Sequence, residues 1–469
     1  MTHKKSSPSL THGCLLIAVA LTLAVPASAS WKEKVLYSFQ GGTNDGSVPA
    51  GGVVFDSQGN LYGATTYGGA ASCAPIGGAC GTVFQLSPPA QKGGAWTETL
   101  IYQFQGKGSN DGSVPNSGLI RDAAENLYGV TAYGGTGDCV LLGVKAGCGT
   151  VYELSPPAQK GAAWKETILY SFPTANQGYV PNGNLVFDSA GNLYGATVFG
   201  GSKRTTCDKF YGGQCGTIFE LSPPKTKGGK WTEKALHQFA GVAPGKQYGD
   251  GANPNGGLVL DNKGNIFGTT FYGGNASGGC GPAGCGRVFE LQRPALGGGA
   301  WREKVLHNFD GQEGATPAAG VIFDPKGNLF GTGFGGGSGY GVVFELEKPS
   351  GSGLPWEIAV LHRFSDGNDG ANPAAPLVFD GSGYLYGTTQ TATNRNAQGN
   401  IVRMKPPIRE GGSWAFSVLY TFAGNPDGAQ PSSRLVLDQD GNVYGTTEDG
   451  GSGTNCGFGD CGTVYEVSP

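Results

Sequence analysis

The stretch "GNLYGATTYGG" at residues 59–69 decides the fold, because the chain repeats it. Close relatives are "ENLYGVTAYGG" at 125–135, "GNLYGATVFGG" at 191–201, "GNIFGTTFYGG" at 264–274 and "GNVYGTTEDGG" at 441–451. Self-similarity at a regular spacing is the sequence signature of a repeat architecture. The whole chain is therefore interpreted as a series of equivalent units.

The tryptophans count these units. Each occupies the same place in the repeat, and neighbouring ones are 55 to 70 residues apart. The repeats begin near Trp31, Trp96, Trp164, Trp231, Trp301, Trp356 and Trp414. We predict that residues 30–469 form a single domain built of seven repeats, preceded by a segment that is not part of the fold.

Each repeat contains four short strands separated by turn signals. In the first repeat these are "WKEKVLYSF" at 31–39, "GGVVFD" at 51–56, "LYGATT" at 61–66 and "GTVFQL" at 81–86. Alternating polar and apolar residues are typical of half-buried strands, and no long stretch has a helical period. Glycine is abundant, with 87 residues, but the aromatic residues recur in register, so the glycines are assigned to turns.

Seven units of four strands favour an all-β fold, a seven-bladed β-propeller with four antiparallel strands per blade. A β-solenoid is the alternative, but its rungs are much shorter than these repeats. The stretch "GLVLDNKGNIFGTT" at 257–270 resembles the two inner strands of NHL-like propeller repeats. That resemblance implies that the Trp-containing strand is outermost, so the N-terminal strand 31–39 would close the last blade by pairing near 462–467.

The chain also resembles the GloVer-type tandem-repeat family of exported bacterial proteins, which are also described as choice-of-anchor repeat proteins. The residues that carry the resemblance are the "GNLYGATT"-like stretches, the "GG" after them, and strands such as "CGTVYEL" at 148–154 and "CGTIFEL" at 215–221. It covers essentially all of 31–469. The resemblance implies an exported repeat protein and implies no particular reaction.

Residues 1–29 are typical of a Sec-type signal peptide. Lys4 and Lys5 precede the apolar run "CLLIAVALTLAV" at 14–25, and Ala27-Ser28-Ala29 fits a signal-peptidase site. A lipoprotein anchor at Cys14 is a weaker alternative, because this cysteine precedes the apolar run. We recognise no C-terminal anchor and no membrane span, and we expect a secreted or periplasmic monomer. The formal net charge of −4 does not favour nucleic acid as a partner.

Ten cysteines form five local pairs, each in the loop between "YGG" and the third strand. The repeats either have both members of a pair or lack both, which favours disulfides in an exported protein over metal ligands. The predicted pairs are Cys73 with Cys80, Cys139 with Cys148, Cys207 with Cys215, Cys280 with Cys285, and Cys456 with Cys461.

The residues that could carry out acid–base chemistry mostly occupy repeat positions that indicate a structural role. His237, His307 and His362 stand where other repeats have Tyr, so they are interpreted as packing groups with a polar tip. A ring of aspartates opens the Asp-x-x-Gly-Asn turns, and a ring of glutamates lies in the third strands opposite Lys or Arg. No catalytic residue and no metal site is predicted from these rings.

The loops that contain Asp-Gly are the strongest candidates for ligand binding. Loops on a rigid scaffold can vary without unfolding the core, and these lie on the face that also bears the "YGG" and cystine loops. The predicted binding residues are Asp45, Asp111, Asp250, Asp369, Asp427, Tyr67, Tyr133 and Tyr272. Calcium is left open as a cofactor, since "SDGNDG" at 365–370 is rich in oxygen ligands but lacks EF-hand spacing.

These observations favour a binding or surface scaffold whose partner is a polysaccharide or cell-surface glycan, and they favour a non-enzyme. Tyrosine rings can stack on the apolar faces of sugars while carboxylates accept hydrogen bonds from hydroxyls. A carbohydrate-active hydrolase or lyase and a purely structural envelope protein are the alternatives. An enzyme should break the repeat symmetry with unmatched carboxylates, tyrosines or histidines in the central channel.

Overall fold

The structure is a computed structural model. It describes residue 1 and residues 31–469, apart from 74–77, 92, 160, 202–214, 227, 243–247, 276–278, 296–297, 352, 392–397, 410 and 457–459. Apart from residue 1, the predicted signal peptide therefore lies outside the described residues. Trp31–Pro469 form one compact unit. No helix in the described ranges is long and apolar enough to cross a membrane.

Seven four-stranded antiparallel sheets confirm the predicted propeller and its strand order. The innermost strands are Val53–Phe55, Ile120–Arg121, Tyr179–Phe187, Val259–Leu260, Ile322–Phe323, Val378–Phe379 and Val436–Leu437. The second strands are Leu61–Thr65, Leu127–Thr131, Leu193–Phe199, Ile266–Thr270, Leu329–Gly333, Leu385–Thr389 and Val443–Thr447. The third strands are Thr82–Ser87, Thr150–Ser155, Thr217–Ser222, Arg287–Gln292, Val342–Glu347, Asn400–Lys405 and Thr463–Ser468.

The outermost strand of each blade contains the residues that follow a tryptophan. These strands are Thr97–Gln103, Lys165–Ser171, Thr232–Gln238, Arg302–Asn308, Glu357–Arg363, Ala415–Thr421 and, for the seventh blade, Lys32–Ser38. Lys32–Ser38 pairs antiparallel with Thr463–Ser468, with Lys32 opposite Ser468. The N-terminal strand thus completes the last blade, as predicted, and the ring closes without an open edge at the termini.

The Asp-x-x-Gly-Asn turn between the two inner strands has the local chemistry that the sequence predicts. Asp56 Oδ1 accepts hydrogen bonds from the backbone N–H groups of Gln58 and Asn60, each at 2.8 Å. Its Oδ2 accepts from Asn60 Nδ2 at 2.6 Å and from the Tyr62 hydroxyl at 3.2 Å. Gly59 has a φ of 84°, which a β-branched or bulky residue adopts only with strain. The aspartate therefore holds the turn and orients the aromatic residue of the second strand.

The core lies between blades, where aromatic residues of successive third and outermost strands meet edge to face. Phe39 and Phe84 are fully buried, and their ring centroids are 5.1 Å apart. Phe172 and Phe219 repeat the contact at 5.3 Å. Because each blade buries its faces against two neighbours, the fold depends on closure of the whole ring.

The connection from one blade to the next passes through a strained residue before a proline. These residues have φ between 47° and 60°, which is costly for Val or Thr. They are Val48, Val114, Val180, Asn253, Thr316, Asn372 and Gln430. The N–H of Val48 donates to Cys461 O at 3.0 Å, and that of Val114 donates to Cys80 O at 2.8 Å. The cystine loop of one blade thus fixes the entry into the next.

Four of the five predicted disulfides are present in the described residues. They join Cys73 to Cys80, Cys139 to Cys148, Cys280 to Cys285 and Cys456 to Cys461, with Cα–Cα distances of 5.0 to 5.2 Å. The fifth predicted pair includes Cys207, which lies outside the described residues. Each disulfide closes a loop of a few residues on the same face of the ring.

We expect all ten paired cysteines to resist alkylation until the protein is reduced. Loops this short give on the order of 2 kcal/mol of stabilisation each on the chain-entropy model. The double variant Cys139→Ser, Cys148→Ser should therefore lower the free energy of unfolding by about this amount, measured by urea denaturation. Alkylation of the native protein without reductant would contradict the disulfide assignment.

Candidate functional site

The Asp-Gly loops and the Tyr-Gly segments lie side by side in the structure. Gly46–Ser47 pairs with Tyr67–Gly68, and Gly112–Ser113 pairs with Tyr133–Gly134. In the fourth blade Tyr248–Ala252 pairs with Tyr272–Asn275. We call this side of the ring, with the Asp-Gly loops, the Tyr-Gly segments and the cystine loops, the loop face.

Two predicted binding aspartates are buried within these loops. Asp45 and Asp111 are 5% and 7% exposed. Asp45 Oδ2 accepts from the Tyr37 hydroxyl at 2.9 Å and from Gln40 N at 2.7 Å, and its Oδ1 accepts from Gly46 N at 2.6 Å. Burial raises the pKa of Asp45 although these three hydrogen bonds oppose the shift. The geometry gives Asp45 the role of holding its loop to the outermost strand.

The other three aspartates are half-buried and make equivalent contacts. Asp427 Oδ2 accepts from the Tyr420 hydroxyl at 2.9 Å. Asp369 and Asp250 instead meet histidines, with His362 Nε2 at 3.1 Å and His237 Nε2 at 3.3 Å. The Tyr or His of the outermost strand is thus the partner of the Asp in the following loop. Direct contact between these aspartates and a ligand stays a prediction.

Aromatic side chains lie on the loop face of three successive blades, and Tyr133, Tyr179 and Phe199 pack against the same apolar cluster. Tyr67, Tyr133 and Tyr179 are half-buried and belong to successive blades. Burial and, after it, the nearby Tyr67 raise the pKa of Tyr133, and Tyr133 acts in the same way on Tyr179. The Tyr179 ring stacks on Phe199 with centroids 5.3 Å apart. We call Tyr67, Tyr133, Tyr179 and Phe199 the aromatic row.

Tyr272, the remaining predicted tyrosine, lies in the fourth blade beside Phe271 at a ring distance of 4.7 Å. Sequence reasoning missed Tyr179, because it begins the innermost strand of its blade whereas the other tyrosines follow the second strand. A groove of about 300 Å³ lies beside Tyr67, between two cystine loops and near Ser72 and Asn455. The aromatic row therefore borders a concave surface.

The central channel has a volume of about 660 Å³ and breaks the repeat symmetry. Residues that directly follow each strained-residue–proline pair line it. At the first of these positions the seven blades have Ala50, Asn116, Asn182, Asn255, Ala318, Ala374 and Ser432. Three neighbouring blades thus present amides, and the other blades present smaller side chains.

The charged residues of the channel lining among the described residues are Arg434 and Glu448, both from the seventh blade. Arg434 stands where the other blades have Gly, Asn or Pro, and Glu448 stands where they have Thr, Ala, Val, Phe or Gln. Burial raises the pKa of Glu448, whose carboxylate accepts a hydrogen bond from the Ser432 hydroxyl. Sequence reasoning missed both residues, although aligning the seven repeats position by position would have exposed them.

A second set of acidic groups lies between blades, away from the channel. Glu33, Glu98 and Glu166 occupy one position of the outermost strand, and each has a buried carboxyl oxygen to which no described residue donates a hydrogen bond. Burial, and then the Asp of the neighbouring blade's loop, raises the pKa of Glu33 and Glu98 to about 7 and that of Glu166 to about 8. These three groups favour the protonated form in the folded protein.

In the fourth blade the glutamate at the same position, Glu303, has a cationic partner. His237, Asp250 and Glu303 bring potential metal ligands within 4.8 Å of one another. Arg287 lies among them, 3% exposed, with Nη1 2.8 Å from Glu303 Oε1 and 3.8 Å from Asp250 Oδ1. Burial would raise the pKa of Asp250, but His237 and Arg287 outweigh it and lower the pKa. Because the guanidinium supplies the positive charge, this cluster is interpreted as an ion-pair network.

Several solved structures resemble the chain weakly over most of its length. A Dyadobacter fermentans protein of unknown function is 12% identical over 93% of this chain and 98% of that one, with a TM-score of 0.43. A putative oxidoreductase (glucose dehydrogenase) from Thermus thermophilus is 14% identical over 93% and 100%, with a TM-score of 0.37. The NanB sialidase of Streptococcus pneumoniae is 11% identical over 95% and 71%, with a TM-score of 0.40. Similarity this weak carries no argument about function.

No curated protein sequence matches the chain significantly. The sequence profile of the Gloeobacter/Verrucomicrobia repeat matches three overlapping segments, residues 24–280, 139–353 and 279–469. The segments together span the entire propeller, and the repeats they share form its blades. The family resemblance inferred from the "YGG" and "CGTVYEL"-like stretches is thus confirmed: the chain belongs to the Gloeobacter/Verrucomicrobia repeat family.

Proposed function

We propose that this protein is an exported glycan-binding scaffold, and that it binds a neutral polysaccharide through the aromatic row on the loop face. The observation that carries the proposal is the presence of Tyr67, Tyr133 and Tyr179 on three successive blades, where Tyr133 and Tyr179 pack with Phe199 against one apolar cluster. Aromatic rings offer flat apolar surfaces with a polar edge, which suit the faces and hydroxyls of sugar rings. An extended chain of sugars can contact several blades together, and multivalent contact strengthens weak individual sites.

The loops that support this row are held rigid. The disulfide Cys73–Cys80 lies beside Tyr67, and a Cβ placed on Gly78 of that loop would lie 3.4 Å from the Tyr67 ring. Asp45 and Asp111 fix the adjacent loops to the outermost strands. Preorganised loops lose less conformational entropy on binding. The buried aspartates therefore contribute to binding through the position of the loops.

Binding is favoured over glycoside hydrolysis by the residues of the channel. Glycosidases of the common retaining and inverting types use a pair of carboxyl groups about 5–10 Å apart. Within the described residues, the channel lining contains one carboxylate, that of Glu448. A hydrolase acting in this channel would therefore have to use the Glu448 carboxylate as its acid or base.

The proposal is tested by replacing Tyr67, Tyr133 and Tyr179 together with alanine. We expect wild-type protein to bind at least one neutral polysaccharide on a glycan array, and the triple variant to bind at least ~10-fold more weakly, since stacked aromatic contacts dominate such surfaces. Binding is measured by isothermal titration calorimetry, and folding is checked by the melting temperature.

The matched control is Tyr340→Ala. Tyr340 is 38% exposed, lies outside the aromatic row, and uses its backbone carbonyl to accept from Asn372 N. Its replacement should leave both the fold and the affinity unchanged. Unaltered affinity in a folded triple variant would reject the aromatic row as the binding surface, and the absence of any glycan ligand would favour the purely structural alternative.

A further inference from the structure

The central channel carries a cation, Arg434, that has no counterion among the described residues. The Arg434 side chain is exposed to the channel, and no described residue accepts a hydrogen bond from it or forms an ion pair with it. Enclosure by the surrounding blades lowers the pKa of Arg434. A guanidinium keeps its charge under these conditions. The unpaired charge in a partly enclosed channel therefore favours an anion that enters the channel.

The neighbours of Arg434 leave room for such an anion. The seventh blade meets the first blade there, and a Cβ added to Gly52 would lie 2.6 Å from Arg434 O. The first and sixth blades present Ala50, Gly51 and Ala374 at the adjacent lining positions. These residues have no polar side chain to pair with the guanidinium. The glutamate of the lining, Glu448, is instead hydrogen-bonded to Ser432.

Unpaired polar atoms in the second blade point to a ligand with hydroxyl groups. Ser117 lines the channel, is 5% exposed, and its Oγ has no hydrogen-bond partner among the described residues. The Oδ1 of Asn116 beside it is also buried without a partner. Leaving a buried polar atom unpaired costs about 1–3 kcal/mol. Both side chains line the channel, so rotation towards the channel would let the Asn116 amide oxygen accept from a ligand hydroxyl and the Ser117 hydroxyl donate or accept.

We propose that the central channel is a second binding site, for a small hydroxylated carboxylate of monosaccharide size such as a uronic or aldonic acid. Arg434 pairs with the carboxylate, because a guanidinium and a carboxylate match as a two-point fork. Asn116 and Ser117 bind hydroxyls, and Phe271 and Phe334 give the channel an apolar side. The volume of about 660 Å³ suits a ligand of this class. This site is independent of the aromatic row.

The experiment is calorimetric titration of the purified protein with sodium D-glucuronate, sodium D-gluconate, D-glucose and inorganic phosphate at constant sodium concentration. We expect the two carboxylates to bind at least ~10-fold more tightly than glucose, because glucose lacks the partner of Arg434. Arg434→Gln should weaken binding of glucuronate at least ~10-fold, and Asn116→Ala should weaken it by a smaller factor.

Arg302→Gln is the matched control, since Arg302 is exposed on an outermost strand of the fourth blade. It should bind glucuronate as the wild type does, and so should the triple tyrosine variant of the aromatic row. Failure of wild-type protein to bind either carboxylate would overturn the proposal. Unchanged affinity for glucuronate in Arg434→Gln would also overturn it. Phosphate binding as tight as glucuronate binding would overturn it too, because it would indicate an anion site that does not recognise hydroxyl groups.

Discussion

Deletion of residues 31–40 is expected to unfold the protein or to lower its melting temperature by more than any single substitution. The deletion removes the outermost strand of the seventh blade, Lys32–Ser38, and exposes the edge of Thr463–Ser468. It also removes Phe39, which is fully buried against Phe84 of the first blade. Loss of a buried phenylalanine alone costs about 3–5 kcal/mol. Because the strand closes the ring, its absence also leaves the interface between the seventh and first blades incomplete.

Differential scanning calorimetry measures this effect, with two further samples as controls. Lys32→Ser alters an exposed position of the same strand and should leave the melting temperature nearly unchanged. A synthetic peptide of residues 31–40 added to the deletion variant should restore part of the lost stability, since it can pair again with the open edge. A melting temperature that does not respond to the deletion would show that closure contributes little.

The free energy of unfolding is expected to fall as the pH rises from about 6.5 to 8.5. Glu33, Glu98 and Glu166 have pKa values of about 7, 7 and 8 in the folded protein, above the ordinary value of 4.5. The folded state therefore binds more protons than the unfolded state in this range, and stability decreases with pH. After allowance for partial solvent screening, we expect a loss on the order of 1–3 kcal/mol across this window.

The choice of window separates these glutamates from the histidines. Burial lowers the pKa of His307 to about 4, so the unfolded state binds more protons at this residue between about 4 and 6.5. The contribution of His307 to the free energy of unfolding therefore decreases as the pH falls. This change is opposite in sign to that caused by the glutamates at acidic pH. Above about 6.5 the histidine is neutral in both states, and the glutamates determine the slope.

Urea denaturation at several pH values tests this prediction with a matched pair of variants. The triple variant Glu33→Gln, Glu98→Gln, Glu166→Gln should be more stable than wild type at pH 8.5 and should have a flatter pH profile. Glu303→Gln changes the same position in the fourth blade, where Arg287 is the partner. It should destabilise by about 1–3 kcal/mol, because it leaves a buried guanidinium without its carboxylate. Effects of the same sign from the triple variant and from Glu303→Gln would contradict the inference that the first three glutamates are unpaired whereas Glu303 is paired with Arg287.

Much of the architecture is predictable from the sequence, because a propeller repeats one local solution. The Trp spacing gives the number of blades, the Asp-x-x-Gly-Asn turn gives the inner hairpin, and the phase of the repeat gives the closing strand. Cysteines that occur in local pairs give the disulfides. Each inference needs only residues that are near in sequence, or an equivalence between repeats.

The candidate site was predictable in part. Asp45 and Tyr67 were placed correctly on one face, since their segments pair directly. Whether Asp45 is free for a ligand depends on Tyr37, and sequence reasoning took the Tyr or His at that position for a packing group. The polar tip of that group meets the aspartate, and this contact determines how much of the carboxylate is left for binding.

Contacts between blades were decided by the tertiary structure. Glu98 of the first blade lies near Asp45 of the loop that follows the outermost strand of the seventh blade, and the carboxylate of Asp45 helps to raise its pKa. In the fourth blade, Arg287 of the third strand pairs instead with Glu303 of the outermost strand. The channel brings Arg434 beside Gly52, although nearly the whole chain separates them in sequence. Local pattern and repeat phase determine each blade, but the surroundings of a charge depend on which side chains the neighbouring blades present. The sequence by itself therefore determined the scaffold, and ring closure determined which charges are paired and which remain available to a ligand.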